Sequence, residues 1–197
     1  IVCTGIINAY NFMDGINGIT GGYSLIILGA LAYINAEMVT FVEPALIYTV
    51  LCSVVVFCFF NFRRKAKCFA GDVGSVSIAF ILLFLIGKLI LKTEDFSWII
   101  LLAVYGVDSV LTIIHRLMLH ENIGLPHRKH MYQLMANELK IPHVVVSLAY
   151  MVVQAIVIIG YIYCQSWGYL YLLCAILLLS FIYIWFMRKY FRLHLSV

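Results

Sequence analysis

Charge is what this sequence has least of: 11% of its 197 residues are Asp, Glu, Lys or Arg, while 64% are hydrophobic. An ordinary soluble domain carries roughly 25% charged residues, so a water-solvated fold is excluded and the apolar excess must face lipid. The six cysteines (Cys3, Cys52, Cys58, Cys68, Cys164, Cys174) include no Cys-x-x-Cys pair, and most lie inside apolar runs. They read as small hydrophobes, and no disulfide framework is expected. Internal repeats, low-complexity segments and linkers are also missing, so one domain is expected over residues 1–197. The formal charge of +4 is too modest to call for a nucleic-acid partner. The chain opens at Ile1 within an apolar run, without Met or a charged leader, and the expectation is an N-terminally truncated sequence.

What is present is a series of long apolar runs, at about 19–36, 44–62, 76–92, 96–114, 143–163 and 167–187, with Ile1 to Ile7 as the tail of another. A hydrocarbon core of about 30 Å needs about 20 such residues per helix. Lipid-facing strands alternate apolar with polar residues, and these runs do not. The expected fold is therefore all-α, a polytopic transmembrane helix bundle with about six complete spans and part of another.

Basic residues concentrate in three segments: Arg63, Arg64, Lys65 and Lys67; Arg116, Arg128, Lys129 and Lys140; and Arg188, Lys189 and Arg192. Two crossings separate each of these segments from the next, so they fall on one side, and the positive-inside rule makes that side cytoplasmic. The opposite turns hold Glu37, Glu43, Glu94 and Asp95, with Lys88 and Lys92 near a helix end, where they could snorkel.

Three polar segments then open to the same compartment, near 8–18, 61–75 and 115–142. The first runs from Asn8 to Gly18 and offers amides, a carboxylate and exposed backbone N–H groups to a polar ligand, or simply forms an Asn- and Gly-rich turn. The second is Phe69-Ala70-Gly71-Asp72-Val73-Gly74-Ser75, directly before a span. Its glycines and carboxylate suit a diphosphate held with Mg²⁺ at a helix N-terminus, and the plainer reading has Asp72 or Ser75 as N-cap. The third centres on His127-Arg128-Lys129-His130-Met131-Tyr132-Gln133. Zinc is disfavoured by Arg128 and Lys129 between the histidines, and an anion clamp is favoured, against a merely topogenic loop. Asp108 lies about two turns inside its span, roughly 9 Å at 1.5 Å per residue. It is read as pointing into the bundle to support the third loop, on the face it shares with His115.

Asn-Ala-x-Asn-Phe-x-Asp-Gly, Phe-x-Gly-Asp-x-Gly-Ser and His-Arg-x-His-x-Tyr-Gln, in this order along essentially the whole chain, resemble the polyprenyl-phosphate N-acetylhexosamine-1-phosphate transferases. That family includes the enzyme of lipid I synthesis and those that initiate O-antigen. The resemblance implies transfer of a sugar-1-phosphate from a UDP-sugar to undecaprenyl phosphate or a similar lipid, with release of UMP, at a bacterial inner membrane. It implies Mg²⁺, with Mn²⁺ as an allowed substitute, and Asp72 as metal ligand. It has Phe69 stacking on uracil, Asn11, Asp14 and Asn17 lining the nucleotide-sugar cleft, and His127, Arg128 and His130 as catalytic donors to the diphosphate or sugar. A homodimer is compatible with it. The third motif looks closer to the O-antigen branch, hence an N-acetylhexosamine rather than muramyl-pentapeptide. Two departures stand out: Asn17 where many members have Asp, and Lys65-Ala66-Lys67 where a Pro-Ala pair is common.

The acids here form no adjacent pair, and the family's paired aspartates are expected upstream of Ile1, so these 197 residues alone are expected to be inactive. A transporter or channel for an anionic solute is the alternative, on the strength of intramembrane Asp108 and a basic mouth. The clustering of polar groups on one face argues against it. A zinc protease is weakened further by the lack of His-Glu-x-x-His.

Overall fold

A computed structural model describes residues 2–122 and 128–190 of the chain. The helices are α1 (Val2–Met13), α2 (Ile19–Tyr33), α3 (Pro44–Asn61), α4 (Gly71–Thr93), α5 (Ala103–Met118), the short α6 (Met131–Gln133), α7 (His143–Tyr163) and α8 (Gly168–Tyr190). A π turn (Ile34–Met38) extends α2, a 3-10 segment (Phe96–Leu102) leads into α5, and a second π turn (Leu134–Glu138) follows α6. Among the described residues, six helical units are long and apolar enough to cross a bilayer, at Ile19–Met38, Pro44–Asn61, Gly71–Thr93, Phe96–Met118, His143–Tyr163 and Gln165–Tyr190. The protein is a multi-pass membrane protein, and the described residues contain no strand.

The bundle is built around two of these units. In Ile19–Met38 and Phe96–Met118, 61% and 67% of the apolar window is buried by protein, whereas Pro44–Asn61 and Gln165–Tyr190 bury 17% each and so present most of their surface to lipid. α2 packs between α3 and α7, α1 lies against α4 and α5, and α5 lies against α8. At the centre the rings of Tyr23 and Tyr105 stack 3.7 Å apart at 5°, with Tyr10 tilted against Tyr105 at 5.0 Å.

The passage from 3-10 to α geometry at Leu102 breaks the regular ladder inside the membrane, where unpaired backbone groups are costly. Gln154 repairs it. Its Nε2 donates to the Ile100 carbonyl at 3.0 Å, and its Oε1 accepts from Val104 N at 3.1 Å and from the Tyr23 hydroxyl at 2.6 Å.

Several boundaries differ from the expected ones. Asn8 to Met13 are the last turns of α1, because the apolar and aromatic residues among them keep a buried face, with Tyr10 and Met13 in the core. Only 14–18 forms the turn, which ends at Gly18 in the left-handed region (φ 84°) with the Phe62 ring where a Cβ would sit. α4 begins at Gly71, so the Gly-Asp motif is its first turn, capped by neither Asp72 nor Ser75 but preceded by Ala70. α5 continues to Met118, which leaves Asp108 about 15 Å from the helix end at 1.5 Å per residue. It is deeper than its sequence position suggested.

Candidate active site

The three motif segments converge at one end of the bundle. Ser75, fully buried in the first turn of α4, donates its hydroxyl to Asn11 Oδ1 at 2.6 Å, joining the second motif to the first. The Tyr132 hydroxyl donates to the Phe12 carbonyl at 2.8 Å, joining the third to the first. Asn17 Nδ2 donates to the carbonyls of Arg63 and Arg64 at 2.9 and 3.2 Å, and the Ser147 hydroxyl donates to the Asn17 carbonyl at 2.8 Å. Asn61 closes the same corner, its Oδ1 accepting from Gly18 N at 2.8 Å and its Nδ2 donating to the Cys68 carbonyl at 2.8 Å.

Asp14 sits half-buried in the turn between α1 and α2. Thr20 Oγ1 donates to its Oδ1 at 2.6 Å. Burial pushes the Asp14 carboxyl above the ordinary carboxylate range; the bonds from Thr20 and the Gly71 backbone pull it back, and the nearby Asp72 charge pushes it up again. The charge of Asp72, from the second motif, is thus felt at Asp14, from the first. Asp72 itself is exposed, as is Phe69, which borders a cavity of about 280 Å³ between α2, α3 and α4.

Hard oxygen ligands of this kind fit Mg²⁺, which takes one or two carboxylates and completes its shell with waters and substrate phosphates. Among the described residues no group of three or more His, Cys, Asp or Glu side chains is placed to hold a metal by itself.

The basic loop is anchored by buried Asp108. Its Oδ1 accepts from Met131 N at 3.1 Å and from Thr112 Oγ1 at 3.2 Å, and lies 3.3 Å from His130 Nδ1; its Oδ2 accepts from the Tyr150 hydroxyl at 2.6 Å. The contacts run to His130, Met131 and Tyr150, so the expected alignment with His115 is not what anchors the loop. His130 also starts α6 in a reciprocal cap with Gln133, the His130 N–H donating to Gln133 Oε1 at 3.2 Å.

Lys129 does not stand open as a clamp residue: it pairs with Glu121, whose other oxygen accepts from buried Arg116 at 3.2 Å. These cations hold the Glu121 carboxyl below its ordinary range, the Lys129 bond first. Arg128 is exposed, and His127 lies outside the described residues. Thr20, Tyr150 and Gln154 were not singled out from sequence. The signal in sequence is a hydrogen-bonding side chain inside an apolar run for Tyr150 and Gln154, and for Thr20 a position just after the first motif.

Residues 1–90, which carry the first two motifs, match a family model described as Glycosyl transferase family 4. A probable undecaprenyl-phosphate N-acetylglucosaminyl 1-phosphate transferase of Bacillus subtilis is 32% identical over 133 residues, covering 65% of this chain and 37% of that protein. A phospho-N-acetylmuramoyl-pentapeptide-transferase of Lactobacillus acidophilus is 35% identical over 74 residues, 38% of this chain and 23% of the relative. Its counterpart in Symbiobacterium thermophilum is 33% identical over 115 residues, 58% of this chain and 33% of the relative. The matches thus span between about a quarter and two fifths of these relatives' own lengths.

Proposed function

We propose that this chain contributes the nucleotide-sugar and metal end of a phosphosugar transferase, which moves an N-acetylhexosamine-1-phosphate from a UDP-sugar to a polyprenyl phosphate on the cytoplasmic face of a bacterial inner membrane. The observation that carries the reading is the bonding of three motif segments at one end of the bundle. In the reaction an oxygen of the lipid phosphate bonds to the phosphorus attached to the sugar. The bond from that phosphorus to the UMP oxygen breaks, and UMP leaves.

Asp72 and Asp14 would hold Mg²⁺, which supplies charge neutralisation to the diphosphate. Exposed Phe69 offers a flat apolar face to the base. Asn11 is oriented for the nucleotide sugar by Ser75. Asn17 has its amide nitrogen engaged with the Arg63 and Arg64 carbonyls, so its contribution to a ligand is as an acceptor through Oδ1. Arg128, His127 and His130 belong to the loop that would supply donors to phosphate oxygens, and such donors act mainly in the transition state. N-acetylglucosamine-1-phosphate is favoured over the muramyl-pentapeptide by the longer match to the Bacillus relative.

The transporter alternative rests on Asp108 and a basic mouth, and Asp108 is 2% exposed with both oxygens engaged by protein donors. The deciding experiment measures UMP release by the complete gene product from a panel of UDP-sugars, with polyprenyl phosphate and Mg²⁺. Release dependent on both the lipid and the metal is expected; none with any sugar would overturn the reading.

A further inference from the structure

The third motif contains a tyrosine to which the reaction assigns no part. Tyr132 is fully buried, and its hydroxyl reaches across 120 positions to the carbonyl of Phe12, two residues before Asp14. The ring is held on several sides. It lies 5.9 Å from the His130 ring at 28° and meets Tyr150 edge-on at 6.4 Å and 86°. Tyr150 is bonded to Asp108, and the same aspartate accepts the N–H of Met131, next to Tyr132 in the chain. The receiving side is shaped to match: a Cβ on Gly15 would fall 2.2 Å from the Tyr132 hydroxyl oxygen. Burial keeps the phenol protonated, since it lifts Tyr132 well above the ordinary tyrosine range. The hydroxyl is therefore a permanent donor.

We propose that Tyr132 is a positioning residue for the transfer, which sets the distance between the basic loop and the Asp14–Asp72 carboxylates by donating to the Phe12 carbonyl through the gap left by Gly15. The role rests on the transferase reading. Carboxylates and basic groups arrive from separate helices and must act on one diphosphate, and a misplacement of about 1 Å in such a site can lower a rate about 100-fold. A contact that places one set against the other is felt in turnover more than in the binding of either substrate.

The test compares Tyr132→Phe, Gly15→Ala and the double variant in the complete protein, with UMP-release kinetics and thermal unfolding in detergent. Tyr132→Phe is expected to lower kcat about tenfold or more while KM for the UDP-sugar stays within about twofold. Gly15→Ala should lower kcat too, and should cost much less in the Tyr132→Phe background, where the colliding hydroxyl is gone. A wild type that turns over beside a Tyr132→Phe variant of equal kcat overturns this role alone. So does a variant with lowered Tm and unchanged kcat, or two effects that simply multiply. No UMP release by the wild type overturns the transferase reading, and this role with it. Should Gly15→Ala fail to accumulate, the Tyr132→Phe split between kcat and KM still decides.

Discussion

Ser75 and Asn11 stand 64 positions apart, and the Ser75 hydroxyl bonds the Asn11 amide oxygen at 2.6 Å while also contacting the Gly71 and Asp72 carbonyls at 3.0 and 3.2 Å. The last residue of the Gly-Asp motif therefore orients an amide of the Asn-Asp motif. A hydrogen bond of this type contributes about 1 kcal/mol to stability. Ser75→Ala is expected to lose about that much in chemical denaturation in detergent, and to lower transfer activity by more than the stability change accounts for. Unchanged activity in a folded Ser75→Ala protein would show that the Asn11 orientation is unimportant.

Asp14 and Asp72 should separate by experiment although the charge of Asp72 is felt at Asp14. Asp14 has a raised carboxyl in the fold, burial being the first cause. For an acid with a raised value, the associated stability is fully present below the unfolded value of about 3.9 and is lost as pH climbs through the folded value. Asp14→Asn removes that loss and keeps an oxygen for Thr20. The variant should therefore melt higher than wild type at pH 7, with the gap closing toward pH 4. Asp72→Asn lies at an exposed position, so its melting should be near wild type while Mg²⁺-dependent turnover disappears, an amide being a poor ligand for a hard cation. Wild-type turnover in Asp72→Asn would remove the metal assignment.

Asp108→Ala leaves the buried Tyr150 hydroxyl and the Met131 N–H without their acceptor, at about 1–3 kcal/mol for each unsatisfied group. A loss of several degrees in Tm is expected, together with easier proteolysis of the loop before α7. An unaltered proteolytic pattern would mean that the loop holds its place without Asp108.

Cysteines introduced singly at exposed Lys67 and Glu94, in a background lacking the native six, should react with impermeant thiol reagents from opposite sides of the membrane. Lys67 is expected to label from the cytoplasm. Labelling of both positions from the same side would contradict the arrangement in which α4 separates them.

Length and hydropathy were enough to locate the spans, because a bilayer accepts only backbone that satisfies its own hydrogen bonds, and helices of about 20 apolar residues do so from local sequence alone. The positions of Lys and Arg likewise placed the three polar segments on a common side, and residue order carried the resemblance of the motifs. Asp108 could be read as facing inward, since lipid is a costly neighbour for a carboxylate. Its partners could not be read: Tyr150 and Met131 meet it only because α5, α6 and α7 pack together, and nothing in a 42-residue separation announces that bond. The same holds for Lys129, whose sequence suggested a donor to phosphate and whose place in the fold gives it to Glu121. Asn17 looked like a ligand contact and ties two backbone carbonyls together. Local composition determined which segments cross the membrane and which carry chemistry. Which side chain answers which was decided by packing, because hydrogen bonds reach about 3 Å and only the assembled bundle brings distant residues that close.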